Sequence, residues 1–352
     1  MAAELDLAAF DYVLPPERIA QRPAPEREAA RLLVLERASG RLAHRIVRDL
    51  PELLRPGDLL VVNATRVLAA RLRGRKTSGG AAEALLLGPD PAPGARAAVR
   101  LRALVACRGR LRLGPKLVLG GLDAEVAALG ERGEVVLAFP AGSDPWAAGE
   151  TPLPPYIRRE APRAEDVERY QTVYARVPGS IAAPTAGLHL GEPLLARLRA
   201  AGVALAELVL HVGPGTFRPL AAEDLRRGRL HPEAFELPAE TAAAVARTRA
   251  AGGRVLAVGT TAARVLESQA RPDGSVAPGA GDTELFLRPP RTDETLPFRG
   301  VDALLTNFHL PRSSLLLLVA AFASRRRVLD AYAEAIRAGY RFYSYGDAML
   351  VV

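Results

Sequence analysis

Three histidines lie beside turns where they could transfer protons. His211 directly follows an apolar run, His309 ends a turn that follows another, and His189 precedes a helical segment. With an ordinary pKa of about 6.5, histidine can act as a general acid or base near neutral pH without a large shift. A single loop histidine is more often structural, but three beside polar turns predict at least one acid or base.

Four apolar runs each lead into a turn rich in glycine, hydroxyl or amide groups. In open α/β sheets, ligands bind in the crevice beyond the carboxyl ends of the strands. We therefore expect four such turns from one sheet to converge on one pocket, and the set is more informative than any member alone. The runs are 59–62, 208–210, 255–258 and 304–305, and the turns are 63–66, 211–216, 259–261 and 306–309.

Each turn also has a simpler interpretation. Gly213-Pro-Gly215 resembles a nucleotide loop but lacks the third glycine of a dinucleotide fingerprint. Gly259-Thr-Thr261 can serve as the cap of the helix that follows. Arg264 and Glu267, three residues apart on that helix, are typical of a surface ion pair. His231-x-Glu233 matches part of a zinc-deaminase signature without its paired cysteines, so we predict no metal site.

Positive charge is concentrated in one part of the chain. Between Arg71 and Lys116 there are eleven basic residues and two acidic ones, so the local charge of +9 exceeds the +8 of the whole chain. Several arginines alternate with other residues, and alternate side chains on a strand share a face. Such a face is typical of a surface that holds a phosphate backbone, although a merely solvated face is the alternative. The candidate contacts are Arg71, Arg73, Arg75, Lys76, Arg100, Arg102, Arg108 and Arg110.

The chain is long enough for a substantial core and two domains. It has 352 residues, 49% hydrophobic and 24% charged, with one cysteine, Cys107, so an internal disulfide framework is excluded. From about residue 76 to 151, short alternating runs separated by Gly/Pro clusters predict a small antiparallel barrel or sandwich. Strands and helices alternate on both sides of this segment. We predict an α/β domain of residues 1–73 and 154–352, interrupted by an inserted β domain of residues 74–153.

The sequence also indicates where in the cell the protein is located. The longest apolar run, 315–323, is too short to span a bilayer. The first residues lack a basic region followed by an apolar stretch, so we expect no secretory signal. These features predict a cytoplasmic protein without membrane contact.

At the polar turns described above and in further blocks, the chain closely resembles the S-adenosylmethionine:tRNA ribosyltransferase-isomerase family. The matching blocks extend over nearly the whole chain, and the longer ones are highly specific. Ala64 departs most, because the family usually has an acidic residue there; Leu190, Pro214 and Pro232 are lesser departures. The matching blocks are 10–15, 19–21, 31–34, 57–60, 63–67, 152–157, 169–174, 179–189, 211–217, 258–261, 306–311 and 345–350.

The resemblance implies a fold and a reaction. The fold is an α/β main domain with an inserted small antiparallel β-barrel. The ribosyl part of S-adenosylmethionine, the co-substrate, is transferred to 7-aminomethyl-7-deazaguanine at the tRNA wobble position. It is isomerised to an epoxycyclopentane, which gives epoxyqueuosine with release of adenine and methionine. We expect a monomer whose partner is tRNA and which uses no metal.

This reaction needs a base at the 5′ carbon beside the sulfonium, a donor for the leaving adenine, and a neutral incoming amine. We expect His189, His211 and His309 to share these proton transfers. Arg66 would hold the methionine carboxylate or a tRNA phosphate through its planar guanidinium. The predicted substrate-binding residues are Asn63, Thr65, Thr185, Gly187, Gly213, Gly215, Thr216, Thr260, Thr261, Arg264 and Asn307.

Two other functions remain open from the residues alone. The turn Gly213-Pro-Gly215 after a strand could belong to an S-adenosylmethionine methyltransferase, which would release S-adenosylhomocysteine instead of adenine and methionine. A non-catalytic RNA-binding protein would bind tRNA without turnover. That interpretation leaves the four polar turns without an explanation.

Overall fold

The structure is a computed structural model that describes residues 5–90, 98–109, 111–213, 215, 220 and 222–352. Within these residues the strands form one large mixed sheet, a closed barrel and a two-stranded ribbon. This arrangement confirms the predicted fold class, an α/β main domain with an inserted antiparallel β-barrel.

The elements are numbered in chain order. The strands are β1 (Arg31–Leu35), β2 (Leu42–Ile46), β3 (Leu59–Asn63), β4 (Thr65–Val67), β5 (Arg71–Lys76), β6 (Ala81–Pro89), β7 (Ala98–Cys107), β8 (Lys116–Leu119), β9 (Leu122–Leu129), β10 (Glu134–Pro140), β11 (Val177–Ser180), β12 (Ala204–Leu210), β13 (Arg229–Leu237), β14 (Val255–Val258), β15 (Gly279–Leu285), β16 (Ala303–Asn307) and β17 (Ala348–Val351). The helices are α1 (Leu50–Leu53), α2 (Ala164–Arg169), α3 (Glu192–Ala200), α4 (Ala222–Arg227), α5 (Ala239–Ala250), α6 (Gly259–Ser268), α7 (Ser314–Ala323) and α8 (Arg325–Arg337).

The large sheet has a parallel centre. Among the described residues its order is β15-β13-β12-β3-β14-β16-β17-β1-β2, and β12, β3, β14 and β16 are mutually parallel. Every residue of β3 is buried, as its continuous apolar run predicts for a strand covered on both faces. Helices α5 to α8 pack on one face, and α1 and α3 pack on the other.

The barrel consists of β5 to β10, all antiparallel, in the order β10-β7-β6-β5-β8-β9. Its strands alternate between buried and more exposed residues, which gives the barrel a separate apolar core around Leu72, Leu86 and Leu137. The predicted domain boundaries at 73/74 and 153/154 stay a prediction; β5 extends across the first of them.

Local structure departs from the sequence patterns in several places. Of residues 111–119 only 116–119 form a strand, β8, and β9, β13 and α8 were not predicted from the sequence. Residues Gly259 to Thr261 are the first turn of α6 and do not cap it, because the cap position is Val258, which has no side-chain acceptor. Ser313 caps α7 and accepts from the Leu316 amide at 3.2 Å. In the part of the chain described, no helix has both the length and the apolarity to cross a membrane.

Candidate active site

A cavity of about 710 Å³ lies beyond the carboxyl ends of β14 and β16. Its wall includes the first turn of α6, the turn after β16, the start of α7 and residues 182–186. This is the position expected for a ligand site in an open α/β sheet. Of the predicted residues, Thr185, Thr260, Thr261, Arg264, Asn307 and His309 line it.

Asn307, at the end of β16, lines this cavity and has a buried acceptor without a hydrogen-bond partner among the described residues. Its Nδ2 donates to His189 Nε2 at 3.2 Å and to the Tyr343 carbonyl at 3.0 Å. These two acceptors fix the orientation of the amide, so Oδ1 faces the other way. That oxygen is buried and has no hydrogen-bond partner among the described residues. His189 therefore positions Asn307 and is not itself among the residues that line the cavity.

His309 lines the cavity and is held from several sides. Its Nε2 lies 2.7 Å from the Thr306 hydroxyl, and its amide donates to the Tyr332 hydroxyl at 3.0 Å. The Tyr12 hydroxyl donates to its carbonyl. With Nε2 engaged by Thr306, Nδ1 is the ring nitrogen left for a ligand.

The expectation that these histidines titrate near neutrality without a large shift is wrong for two of them. Burial lowers the pKa of His189 to about 4 and that of His309 to about 3. Desolvation is the largest cause in both, because an imidazolium loses its hydration inside the protein. Both rings are neutral at pH 7 and act as hydrogen-bonding groups there.

His211 lies beside the cavity wall but does not line it. Side chains alternate along the chain, so His211 points away from the face on which Val212 lines the cavity. Its Nδ1 lies 2.8 Å from the Thr65 hydroxyl. Partial burial lowers the pKa of this histidine.

The turn 63–66 therefore does not join the other three at the cavity, contrary to the expected convergence of four. Asn63 uses Nδ2 on the Leu210 carbonyl at 2.9 Å and Oδ1 on the Leu210 and Thr65 amides at 3.0 and 3.1 Å. Its amide thus ties the end of β3 to the end of β12. Arg66 is exposed on β4 and is not among the cavity-lining residues.

Arg264 is buried, and the expected surface pair with Glu267 is wrong. Its Nη1 donates to Glu233 Oε2, and both side chains line the cavity with about 7% and 6% exposure. Glu267 instead accepts from the amides of Arg299 and Gly300 at 3.0 and 2.8 Å. Arg264 lies on the face of α6 that packs on β13, which the spacing along the helix could not reveal.

The predicted glycines have packing neighbours. A Cβ on Gly187 would lie 2.2 Å from the Tyr174 hydroxyl, so this glycine allows close approach of a tyrosine. Gly213 donates its amide to Glu233 Oε1 at 2.8 Å, and Gly215 packs against His231. None of the three lines the cavity. Thr216, with Arg110 of the basic segment, lies outside the described residues.

The basic face of the barrel is partly neutralised by ion pairs. Arg71 Nε lies 3.1 Å from Glu83, and Arg73 Nε lies 3.3 Å from Glu150. Arg100 Nε lies 2.9 Å from Asp90. Arg75, Arg102 and Arg108 remain exposed.

Comparisons with known proteins place the chain in a family. Residues 7–351 match the model of the queuosine biosynthesis protein family. A relative from Anaeromyxobacter dehalogenans is 54% identical, covering 98% of this chain and 99% of that protein; one from Thermus thermophilus is 52% identical at the same coverage. Both bear the name S-adenosylmethionine:tRNA ribosyltransferase-isomerase. The chain belongs to the S-adenosylmethionine:tRNA ribosyltransferase-isomerase family.

A solved structure supports the same assignment. The crystal structure of the S-adenosylmethionine tRNA ribosyltransferase from Thermotoga maritima is 38% identical, covers 98% of this chain and 100% of its own, and superposes with a TM-score of 0.56. The predicted family and enzyme class are thereby confirmed, as is the function of ribosyl transfer and isomerisation in queuosine synthesis.

For this ribosyltransferase-isomerase, the cavity-lining residues that sequence reasoning missed include Tyr156, Tyr343, Ser344 and Glu233. The rings of Tyr156 and Tyr343 lie 4.8 Å apart, and the Tyr156 hydroxyl lies 2.7 Å from the Ser344 hydroxyl. Glu233 also lines the cavity. Glu233 could have been found in the sequence from its alternation with Phe235 and Leu237, which places its carboxylate on the buried face of β13. Tyr156 lies in the matched block 152–157 and Tyr343 lies just before the block 345–350, and neither has a spacing that indicates a site.

The closeness of Gly179 to His211 yields a testable prediction. A Cβ on Gly179 would lie 2.6 Å from His211 Cε1, and Gly179 has a φ of +152°. We expect Gly179→Ala to displace the ring from Thr65 and to lower the free energy of unfolding by about 1–3 kcal/mol in urea titrations. Gly142→Ala, at a φ of +78° with open space around it, is the matched control. Equal costs for both variants would mean that backbone strain, and not the imidazole, is responsible.

Proposed function

We propose that the protein uses this cavity to transfer and isomerise the ribosyl group of S-adenosylmethionine onto 7-aminomethyl-7-deazaguanine at the tRNA wobble position. The observation that supports this location is the cavity-lining Asn307, whose Oδ1 is buried and has no hydrogen-bond partner in the described part of the chain. Buried polar atoms are nearly always hydrogen-bonded, so an orphaned acceptor suggests a ligand donor. Thr261 Oγ1, also in the wall, is a second such atom.

The residues present fit S-adenosylmethionine. The paired rings of Tyr156 and Tyr343 offer an aromatic surface for adenine. The first turn of α6 has no acidic residue and no side-chain cap, so its free amides and dipole favour an anion. We assign the methionine carboxylate to this turn rather than to Arg66. Arg66, exposed on β4, then suits a tRNA phosphate.

His309 is the group we assign to the leaving adenine. If Nε2 accepts from the Thr306 hydroxyl, the ring proton is on Nδ1 and is available to donate. As the bond between the ribose and adenine breaks, its electron pair moves to the purine, where a neutral donor stabilises the developing charge. His211 does not line the cavity, so we assign it no proton transfer to a ligand bound there.

A product assay tests the function. The protein is incubated with S-adenosylmethionine and tRNA bearing 7-aminomethyl-7-deazaguanine, and released adenine and the modified nucleoside are measured by mass. We expect His309→Gln to slow adenine release by about a hundredfold, because one donor to a developing charge is worth that much. His44→Gln is the control, since His44 lies outside the cavity against Tyr340 and Glu334. Release of S-adenosylhomocysteine would instead support a methyltransferase, and binding without turnover an RNA-binding protein.

We propose that the exposed arginines of the barrel hold the tRNA anticodon region. Each phosphate contact contributes about 0.7–0.9 to the slope of log K against log salt. Neutralising Arg75, Arg102 and Arg108 to glutamine should therefore reduce the slope by about 2–3, with S-adenosylmethionine binding unchanged. The exposed arginines Arg199, Arg247 and Arg271 provide a control triple elsewhere on the surface. An equal slope in both triples would mean that this face does not touch tRNA.

We also propose a cytoplasmic monomer, in keeping with a tRNA substrate. Only six large apolar side chains in the described residues are exposed. They are Val13, Ile46, Leu113, Leu129, Val167 and Leu310. Sedimentation at one 37.4-kDa chain per particle is the expected result.

A further inference from the structure

Glu233 is a buried carboxylate in the cavity wall. It lies on β13, and its side chain is about 6% exposed. A charged side chain this deeply buried is uncommon unless it is paired. The arrangement of its partners indicates what it can bind.

Among the described residues, each oxygen of Glu233 has one hydrogen-bond donor. Oε1 accepts from the Gly213 amide at 2.8 Å, and Oε2 accepts from Arg264 Nη1. An ionised carboxylate has about four lone-pair sites, so each oxygen can accept one further hydrogen bond. The described residues supply these two donors to the carboxylate, and the cavity lies on its remaining side.

The charge of the Glu233–Arg264 pair indicates which kind of ligand group can donate a hydrogen bond to Glu233. Arg264 neutralises Glu233, and its other nitrogens donate to the carbonyls of Leu285 and Thr283 at 3.1 and 3.4 Å. Its guanidinium is thus occupied and is not free for a carboxylate. An ion pair of zero total charge gains little from a sulfonium or an ammonium. Neutral hydroxyl donors satisfy its lone pairs without adding charge.

We infer that Glu233 binds the 2′- and 3′-hydroxyls of the S-adenosylmethionine ribose, one on each oxygen. The inference rests on the proposed location of S-adenosylmethionine in this cavity. Two neighbouring hydroxyls match two acceptors on one carboxylate. A ribose within tRNA offers only its 2′-hydroxyl, because its 3′ oxygen is part of a phosphodiester. Glu233 therefore holds the sugar whose bonds rearrange and selects ribose over deoxyribose.

Binding measurements without tRNA test this separately from turnover. Dissociation constants are measured by competition calorimetry for S-adenosylmethionine and for its 2′-deoxy and 3′-deoxy analogues. The wild-type protein should bind each deoxy analogue about ten- to a hundredfold more weakly, as expected for a lost hydrogen bond to a charged group. In Glu233→Gln the ratio should fall to about threefold, as expected for a hydrogen bond to a neutral group. Glu236→Gln, exposed on the same strand, should keep the wild-type ratio.

A second variant guards against misfolding. Glu233→Gln leaves Arg264 with a weaker partner, whereas Glu233→Leu with Arg264→Met replaces the whole ion pair by apolar groups, which is often tolerated. The ratio is the readout, because a purely structural defect weakens all three ligands alike. Equal binding of the three ligands by the wild-type protein, or an unchanged ratio in both variants, would overturn the inference. If the wild-type protein distinguishes S-adenosylmethionine from its deoxy analogues but releases no adenine in the product assay, the proposed reaction is wrong and the inference about Glu233 stands.

Discussion

Replacing Asn307 with leucine is expected to slow adenine release by at least about a hundredfold. The substitution keeps the size of the side chain but removes Oδ1, the unpaired acceptor in the cavity wall. It also leaves His189 Nε2 and the Tyr343 carbonyl without their donor. Loss of a hydrogen bond made to the reacting ligand is worth about 2.7–4 kcal/mol in comparable sites. Release is measured under saturating tRNA, with S-adenosylmethionine varied to separate kcat from KM.

Thr241→Val is the matched control for this prediction. Thr241 is also buried and donates its hydroxyl to the Glu207 carbonyl, but it lies on α5 away from the cavity. We expect both variants to lower the free energy of unfolding by about 1–3 kcal/mol, and only Asn307→Leu to affect catalysis. A rate within about threefold of wild type for Asn307→Leu would remove Asn307 from the ligand site.

The second large effect is a loss of stability in mild acid. His189 and His309 have pKa values of about 4 and about 3 in the folded protein, against about 6.5 when unfolded. The unfolded chain therefore binds more protons, so these histidines leave stability intact above about pH 6.5 and reduce it as pH falls toward 4. Between pH 7.5 and 5 each costs about 2 kcal/mol, or about 4 kcal/mol together.

Urea unfolding at a series of pH values measures this effect. His309→Gln should reduce the loss between pH 7.5 and 5 by about 2 kcal/mol, and combining it with His189→Gln should remove about twice as much. Val61→Ala, a buried change without a titrating group, should lower stability equally at every pH. A pH dependence that persists in the double variant would show that other groups cause it.

The cavity residues that sequence reasoning identified share one geometric origin. Thr260, Thr261, Asn307 and His309 follow β14 and β16, which are parallel neighbours. The carboxyl ends of such strands meet at one edge, so local sequence was sufficient to place them together. Asn63 follows β3, which also neighbours β14, yet its amide is used by the backbone of β12. The sequence indicates that Asn63 lies at the end of a strand, but not that its amide bonds to the backbone of β12.

Cavity residues that come from elements distant in the chain were not predicted from the sequence. Glu233 reaches the cavity from β13, an antiparallel strand that the sequence analysis missed. Tyr343 enters through the turn before β17 with a φ of +70°, a conformation set by contacts with the 307–308 segment. Their positions depend on pairing between segments far apart in the chain, which no local spacing encodes.

Sequence alone determined the α/β domain with its inserted barrel, the turns at the strand ends and the family, because alternation, apolar runs and specific motifs are local properties. The tertiary structure decided which polar groups stay charged and which can still form a hydrogen bond to a ligand. Burial makes His189 and His309 neutral, and Glu83, Glu150 and Asp90 neutralise part of the basic face. Asn307 Oδ1 is left without a partner among the residues that the structure describes. Desolvation and partner choice depend on which segments pack together, and those are properties of the whole fold.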